Sequence, residues 1–190
     1  MTSTGKRLQN KLDTFNLSPE GKVLLLSIFK PQKFKKNDFI LWEGQTCKNI
    51  YFVEEGCVRS FYNQNGKDVN ANFTLGGQFT TNLKSLREDK ASDYSIQAME
   101  ASIVWKCDKN TLSDLYARSH EIALVGRDLI EQLLAEQEEQ LSLFKITTPL
   151  TRYDYLLKNN PDLLQKVSLT HLSSYLGISR ETLSRIRKKH

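Results

Sequence analysis

Residues 31–107 alternate between short apolar runs and glycine-containing turns. Several of the runs also alternate polar and apolar positions, and pairs such as Glu55-Gly56 and Asn65-Gly66 separate them. Asn65-Gly66 predicts a hairpin turn, because both residues tolerate a positive φ. Short strands at such intervals are typical of an antiparallel roll or barrel. The predicted strands are Phe39–Trp42, Ile50–Val53, Val58–Tyr62, Val69–Phe73, Tyr94–Ala98 and Ser102–Trp105.

Helical patterns flank this β region on both sides. Residues 1–30 are predicted to be helical, and a helix begins at the Ser18-Pro19 pair, in which the serine is a good N-cap and the proline suits the first helical position. A short helix is predicted over residues 108–116. Residues 119–144 form a long helix, since they contain no proline and a single glycine. Pro149 ends this helix, which makes residues 145–149 the predicted domain boundary.

The long helix carries two apolar stripes. The first stripe consists of Ile122, Val125, Leu129 and Leu133, and the second of Gly126, Ile130, Leu134, Gln137 and Leu141. A long exposed helix with a continuous apolar stripe needs a cover, and a twin helix supplies one. The pattern therefore favours a homodimer through residues 119–144. Packing of the helix on its own domain is the alternative.

The segment between Leu169 and Lys189 has the pattern of a helix-turn-helix. Its first helix places three leucines on one face, namely Leu169, Leu172 and Leu176. Gly177 then supplies the conformation that a tight turn between two helices requires. Ser179 is a strong N-cap for the second helix, Ser179–Lys189.

The second helix has a buried edge and a polar face. At 100° per residue, Leu183 and Ile186 fall on one side, and the opposite side is polar and basic. A major groove admits such a helix, and its first turns point at base edges. The candidate base-contacting residues are Arg180, Glu181 and Arg185. The candidate phosphate-contacting residues are Thr170, Ser179, Thr182, Lys188 and Lys189.

The charge distribution agrees with a nucleic-acid partner for the C-terminal segment. The chain of 190 residues carries a net charge of +5, with 27 Lys and Arg against 22 Asp and Glu. Residues 146–190 hold 8 of those cations and 3 of the acids, so the remaining 19 cations and 19 acids of residues 1–145 cancel. All the excess positive charge therefore lies beside the predicted helix-turn-helix, which favours double-stranded DNA as the partner.

Other function classes find little support in the sequence. No run approaches the length of a membrane span, and the N-terminus lacks the apolar core of a signal peptide, so a cytoplasmic protein is expected. The motifs of common enzyme families are absent, and an enzyme is not expected. Cys47, Cys57 and Cys107 lack metal-ligand spacing and are interpreted as small residues within strands. A redox-sensing thiol is the alternative, and no metal or other cofactor is predicted.

The residues Leu176–Arg185 resemble the DNA-binding signature of the Crp/Fnr family of transcription regulators. The order of predicted elements resembles that family over about residues 10–190. The resemblance implies an α+β fold with an N-terminal antiparallel β-roll (a double-stranded β-helix), a long dimerisation helix and a C-terminal helix-turn-helix domain. The corresponding domains are 1–118, 119–145 and 146–190. It also implies a palindromic operator with G·C-containing half-sites and a TGTGA-like core, and RNA polymerase as a further partner.

The effector implied by the resemblance is in doubt at the residues that would bind it. Members that bind cyclic nucleotides carry a glutamate for the ribose and an arginine for the phosphate. Here Gly77-Gln78-Phe79 is followed by two threonines and an asparagine, and Asp93 lies where the arginine is expected. We therefore expect an effector other than cyclic AMP, or none. An atypical cyclic-nucleotide pocket is the alternative. The candidate pocket residues are Phe79, Thr80, Thr81, Asn82 and Tyr94.

The remaining cofactor types of this family are also unsupported. The cysteine cluster of oxygen-sensing members is absent, and His120, His171 and His190 all lie outside the roll, so neither an iron–sulfur cluster nor haem is expected. His171 is interpreted as a solvated or phosphate-facing helix residue. The connection between Leu157 and Ser168 is short, so the wing found in many relatives is expected to be reduced or absent.

Overall fold

The computed structural model describes residues 5–146 and 148–188, and it has a mixed α+β architecture. The strands are β1 (Lys30–Phe34), β2 (Phe39–Leu41), β3 (Asn49–Glu55), β4 (Cys57–Gln64), β5 (Lys67–Leu75), β6 (Phe79–Thr80), β7 (Ser95–Ala98) and β8 (Ser102–Asp108). The helices are α1 (Lys6–Leu12), α2 (Pro19–Ser27), α3 (Leu83–Glu88), α4 (Lys109–Arg118), α5 (His120–Ile146), α6 (Pro149–Asn159), α7 (Pro161–Lys166), α8 (Leu169–Leu176) and α9 (Arg180–Arg187).

The strands of the described chain form an antiparallel β-roll of two four-stranded sheets. One sheet has the order β1-β8-β3-β6 and the other the order β2-β7-β4-β5. Buried side chains of both sheets, including Val53, Val58, Ile96 and Val104, fill the space between them. The predicted roll is therefore confirmed. The sequence did not predict β1, whose Lys-Pro-Gln-Lys-Phe pattern is mostly polar. It is an edge strand of its sheet, which is a position where proline is tolerated.

A buried carboxylate attaches the first helix to the roll. The N-cap of α1 is Gly5, which has no side chain to accept from the first turn. Glu54 of β3 replaces that cap, since its two oxygens accept from the backbone amides of Arg7 (2.7 Å) and Leu8 (3.0 Å). Glu54 is 1% exposed, and Leu8 beside it is fully buried. The N-terminal helix is thus capped by the sheet on which it packs.

The long helix α5 has two different environments along its length. Its first turns pack on α1, α2 and α4, and Ile122 (0% exposed) and Val125 (6% exposed) lie in that core. The prediction that these two residues belong to a dimer seam is therefore wrong, because the chain's own helices cover them. Farther along, Ile130, Leu134 and Leu141 are 45%, 57% and 54% exposed.

A glycine permits the close approach of α4 to α5. A Cβ atom at Gly126 would lie 2.3 Å from the hydroxyl oxygen of Tyr116, which is far inside van der Waals contact. The predicted short helix over residues 108–116 is confirmed as α4, and the carboxylate of Asp108 accepts from the amides of Asn110 and Thr111.

The C-terminal helices α6 to α9 share one apolar core that extends onto the roll. Tyr153, Leu156, Leu163 and Leu164 of α6 and α7 pack with the leucines of α8 and α9, and Phe73 of β5 belongs to the same cluster. Thr148 caps α6 by accepting from the amide of Thr151, with Pro149 in its first turn. None of the described helices combines the length and the apolar character needed to cross a membrane.

We expect Glu54→Gln to destabilise the fold by about 1.5–3 kcal/mol, because an amide presents a donor to one of the two buried N–H groups and removes the charge from both hydrogen bonds. Urea unfolding followed by circular dichroism measures the change. Glu43→Gln, at an exposed carboxylate, is the matched control and is expected to stay within about 0.5 kcal/mol of the wild type. Equal stabilities of the two variants would contradict the capping role.

Candidate nucleic-acid interface

Helices α8 and α9 form the predicted helix-turn-helix. Gly177 ends α8 in the left-handed conformation, with a φ of 66°. The amide of Ile178 donates to the carbonyl of Ser173 (3.0 Å), which closes the turn. Ser179 then caps α9, since its hydroxyl accepts from the amide of Thr182 at 3.1 Å. The turn and both helices therefore agree with the prediction from sequence.

The two helices are held together by an apolar contact. Leu172 and Leu176 of α8 and Leu183 of α9 are fully buried, and Ile186 is 8% exposed. These residues are spaced three or four positions apart, so they lie on one face of each helix. The opposite face of α9 is consequently directed away from the core.

Arg152, which the sequence did not single out, hydrogen-bonds to the turn of the helix-turn-helix. The guanidinium of Arg152 in α6 donates to the carbonyl oxygen of Leu176 at 2.9 Å. The same group lies over the ring of Phe144 in α5, 5.2 Å from its centroid. Arg152 thus connects the end of the long helix to the turn of the helix-turn-helix. The sequence gives no sign of this role beyond the positive charge of the residue.

The candidate base-contacting residues lie together on the exposed face of α9. Arg180, Glu181 and Arg185 are all exposed. Hydrogen bonds from its own backbone amide and from Ser179 lower the pKa of the Glu181 carboxyl, and the charges of Arg180 and Arg185 add to this effect. Glu181 is therefore an ionised acceptor between two permanent donors.

The candidate phosphate-contacting residues surround this face. Thr170 is exposed in the first turn of α8, and Lys188 is exposed at the C-cap of α9. The hydroxyls of Ser179 and Thr182 lie 3.1 Å apart, and that of Ser179 caps α9. Lys189 lies outside the described residues. The described members of the group thus offer the ammonium of Lys188 and several hydroxyls beside the polar face.

His171 does not lie where the sequence suggested. Its ring points to the β-roll, where Nδ1 is 3.3 Å from Arg59 Nη1 and 3.3 Å from Asn70 Nδ2. Burial and the charge of Arg59 lower the pKa of the imidazole. The interpretation of His171 as solvated or phosphate-facing is wrong, because the face of α8 that carries it packs on strands β4 and β5.

Three of the five candidate effector residues, Thr81, Asn82 and Tyr94, are connected by hydrogen bonds, directly or through Ser92. Asn82 caps α3 by accepting from Ser85, and its amide donates to Ser92 Oγ (2.7 Å) and Asp93 Oδ1 (3.1 Å). The hydroxyl of Tyr94 donates to the carbonyl of Thr81 at 2.9 Å. Thr80 is buried in β6. A carboxylate therefore stands beside the residues at which a cyclic phosphate would be expected.

The fifth candidate, Phe79, belongs to a different environment. Its ring packs edge-on against Phe52, with centroids 4.9 Å apart. It also lines a cavity of about 310 Å³ between β5, α5 and the C-terminal helices, whose wall includes Leu129, Glu136 and Tyr175. Phe79 is thus a partly buried residue that packs against the core at the junction of the roll and the helices.

Three further features bear on the predicted chemistry. The described residues contain no group of three or more His, Cys, Asp or Glu side chains that could hold a metal ion. All three cysteines are buried and free, and burial raises the pKa of Cys57 and of Cys107 to about 12. Cys47 lies in the loop before β3 rather than within a strand.

Helix α7 occupies the connection from α6 to α8, so that described segment holds no strand of a wing.

Comparison with known proteins identifies the fold. Residues 31–119 match the model of the cyclic nucleotide-binding domain family. No curated protein matches the chain in sequence. FixK2 from Bradyrhizobium japonicum superposes with a TM-score of 0.73 at 20% identity, over 85% of this chain and 84% of FixK2.

Other similar structures span nearly the whole chain. The catabolite activator protein of Thermus thermophilus has a TM-score of 0.58 at 24% identity, over 92% of this chain and 84% of its own. CLP, the c-di-GMP-responsive global regulator of Xanthomonas campestris, has a TM-score of 0.68 at 16% identity, over 88% of both chains. Two of these neighbours are thus named as an activator protein and a global regulator. Residues 31–119 are therefore similar to a cyclic nucleotide-binding domain, and the chain has the fold of the Crp/Fnr-family regulators.

Proposed function

We propose that the protein is a dimeric DNA-binding transcription regulator that contacts a palindromic operator through α9. The observation that carries this proposal is the division of α9 into two sides. Leu183 and Ile186 are buried against α8, while Arg180, Glu181 and Arg185 are exposed on the other side. A short capped helix held in this way is suited to enter a major groove with its polar face leading.

The side chains on that face have the chemistry of base contacts. Arginine donates two parallel hydrogen bonds to O6 and N7 of guanine, and a carboxylate accepts from N4 of cytosine. Arg180, Arg185 and the ionised Glu181 therefore favour a half-site that contains G·C pairs, with the TGTGA-like core as its proposed form. Thr170, Ser179, Thr182, Lys188 and Lys189 are the proposed contacts to phosphates.

The exposed part of α5 supports a homodimer. Ile130, Leu134 and Leu141 are spaced four and seven residues apart, as on one stripe of a helix, and each is about half exposed. A second copy of α5 would cover this stripe. Two copies of α9 related by the dimer axis would then meet two half-sites of a palindrome, about one helical turn apart.

This proposal gives each segment of the chain a role. Residues 1–118 are the sensor domain, residues 119–145 the dimerisation helix and residues 146–190 the DNA-binding domain. RNA polymerase is the further partner through which such a regulator affects transcription, and we expect the protein in the cytoplasm with its DNA.

The proposed effector is a molecule other than cyclic AMP. Asp93 accepts from Asn82 beside Ser92, and a carboxylate at that place repels a cyclic phosphate. The side chains of Thr81, Asn82 and Tyr94 are already hydrogen-bonded to backbone groups, namely the carbonyl of Asn49, the amide of Ser85 and the carbonyl of Thr81. The alternative is a cyclic-nucleotide-responsive regulator with an atypical pocket, which the family match of residues 31–119 favours.

We expect Arg180→Ala to weaken operator binding by about 1–3 kcal/mol and to relax the preference at one base pair, because it removes a direct base contact. Selection of binding sites from random duplexes measures the preference. Lys188→Ala is the contrast: it should weaken binding to all sequences and lower the salt slope by about one unit. An unchanged sequence preference in Arg180→Ala would rule out its role in base contact.

We expect Leu134→Glu to convert the dimer to a monomer, because a carboxylate would have to be buried in the apolar seam of α5. Sedimentation equilibrium gives the mass of the species. Val23→Glu is the matched control, since Val23 is 69% exposed on α2, away from the stripe, and should leave the dimer intact. A dimer that tolerates the glutamate at residue 134 would contradict the proposed seam.

Titration calorimetry with cyclic AMP and with cyclic GMP is expected to give no saturable heat, since the pocket region offers Asp93 instead of a cation. The operator affinity should likewise be the same with and without either nucleotide. Saturable binding of one nucleotide would support the atypical-pocket alternative over the main proposal.

A further inference from the structure

A buried arginine organises the contact between the β-roll and the helix-turn-helix. Arg59 of β4 is 7% exposed. Within the roll it donates to Gln97 Oε1 from Nε (3.0 Å) and Nη2 (2.7 Å), to Asp68 Oδ2 from Nη2 (2.7 Å) and to Asn70 Oδ1 from Nη1 (3.2 Å). Its guanidinium also lies 3.8 Å from the centroid of the Phe61 ring. The orientation of Arg59 is therefore fixed by the roll alone.

The same residues of the roll bind one face of α8. Asn70 donates from Nδ2 to the carbonyl of His171 (3.2 Å), and its backbone amide donates to Ser174 Oγ (3.0 Å). The hydroxyl of Ser174 in turn donates to the carbonyl of Asp68 (3.2 Å). We call the five residues Arg59, Asp68, Asn70, His171 and Ser174 the latch. It joins β4 and β5 to the first helix of the helix-turn-helix by polar contacts.

The hydrogen bonds of the latch determine the protonation state of His171. Arg59 can only donate, and Nδ2 of Asn70 can only donate. The orientation of the Asn70 amide is settled by its neighbours, since its oxygen accepts from Arg59 while its nitrogen faces the carbonyl of His171. Both donors lie 3.3 Å from Nδ1 of His171. Nδ1 must therefore be an unprotonated acceptor, and the neutral ring carries its proton on Nε2.

The charged groups around the imidazole have unequal effects. Burial lowers the pKa of His171 most, and the positive charge of Arg59 lowers it further. Asp68 of β5 acts in the opposite direction, and Lys36, between β1 and β2, adds to the lowering. Protonation would place an N–H against two donors and a second cation beside Arg59.

We propose that the latch is a pH-sensitive joint that holds the helix-turn-helix on the roll while His171 is neutral and holds it more weakly when His171 is protonated. The joint itself goes beyond the proposed DNA binding and does not depend on it. Helix α9 would move with α8, because Leu183 packs on Leu172 and Leu176. The latch leaves the polar face of α9 exposed, so its effect is on the orientation of that face relative to the roll.

The sign of the pH dependence follows from the lowered pKa of His171. The docked state binds the proton less readily than the free helix, in which the ordinary value of 6.5 applies. Docking is therefore at full strength above pH 6.5 and weakens as the pH falls below it. One pH unit below the ordinary value, the docking equilibrium is weakened by up to about tenfold.

Hydrogen exchange of the Asn70 amide, followed by NMR in the full-length protein, measures the latch without any DNA. This amide donates across the joint to Ser174, so its protection reports docking. After correction for the intrinsic rate, we expect its protection to fall by up to about tenfold from about pH 7.5 to about pH 5.5. The amide of Ala98, which donates to the Asp38 carbonyl inside the roll, should keep its protection. A constant ratio of the two protections would overturn the proposal.

Two histidine variants separate titration of His171 from general acid effects. His171→Asn keeps an acceptor near the position of Nδ1 but cannot be protonated, so the pH dependence at Asn70 should disappear while protection at about pH 7.5 persists. His120→Asn replaces an exposed histidine at the start of α5 and should leave the pH dependence unchanged. A pH dependence that survives in His171→Asn would assign the effect to another group and overturn the proposal.

The consequence for DNA binding rests on the proposed function and is tested apart from the latch. With an operator duplex at constant ionic strength, the wild type should lose more affinity at about pH 5.5 than His171→Asn does. Equal losses, with the exchange result as expected, would overturn the link between the latch and DNA binding. Absence of DNA binding at every pH would contradict the proposed function and leave the exchange result as the test of the latch.

Discussion

The apolar contact between α8 and α9 is the constraint on which the C-terminal structure depends. Helices of eight residues are too short to be stable alone in water, so their form and orientation come from Leu172, Leu176 and Leu183, all fully buried. Once those side chains are inside, the geometry of an α-helix directs Arg180 and Arg185 outward. The exposed cations are therefore a result of packing, and the electrostatics of the surface follow from the core.

Helix α8 has a second face, whose contacts are polar and include a titratable group. Its contact with α9 is apolar and independent of pH, whereas its contact with the roll includes His171 and the buried Arg59 and changes with protonation. The helix-turn-helix can thus keep its fold while its attachment to the roll varies. Arg152 and the aromatic contact of Phe144 with Tyr175, 5.6 Å between centroids, tie the same unit to the long helix. The roll, the long helix α5 and helix α6 therefore all contact the short helix α8.

What the sequence could predict was decided by the range of the interactions. The turn at Gly177 and the cap at Ser179 depend on neighbours within a few positions, so the local sequence was enough to predict both. His171 could not be placed, because its partner Arg59 lies 112 positions away. The spacing of Ile122 is compatible with a partner helix and equally with helices of its own chain. Only the fold brings Leu8 and the other N-terminal core residues beside it. The edge strand β1 has a single large apolar residue, Phe34, which is too little to predict a strand from the pattern.

Entry of the polar face of α9 into duplex DNA is measured most directly by binding of the full-length protein to a pool of random duplexes at low and rising ionic strength. We expect tight binding at low salt that weakens linearly on a log–log plot, with a slope of several units, because cations of two protomers displace counterions from phosphates. A residual preference for G·C-containing palindromes should remain at higher salt. A dimer that binds no duplex of any sequence at low ionic strength would show that α9 does not enter DNA.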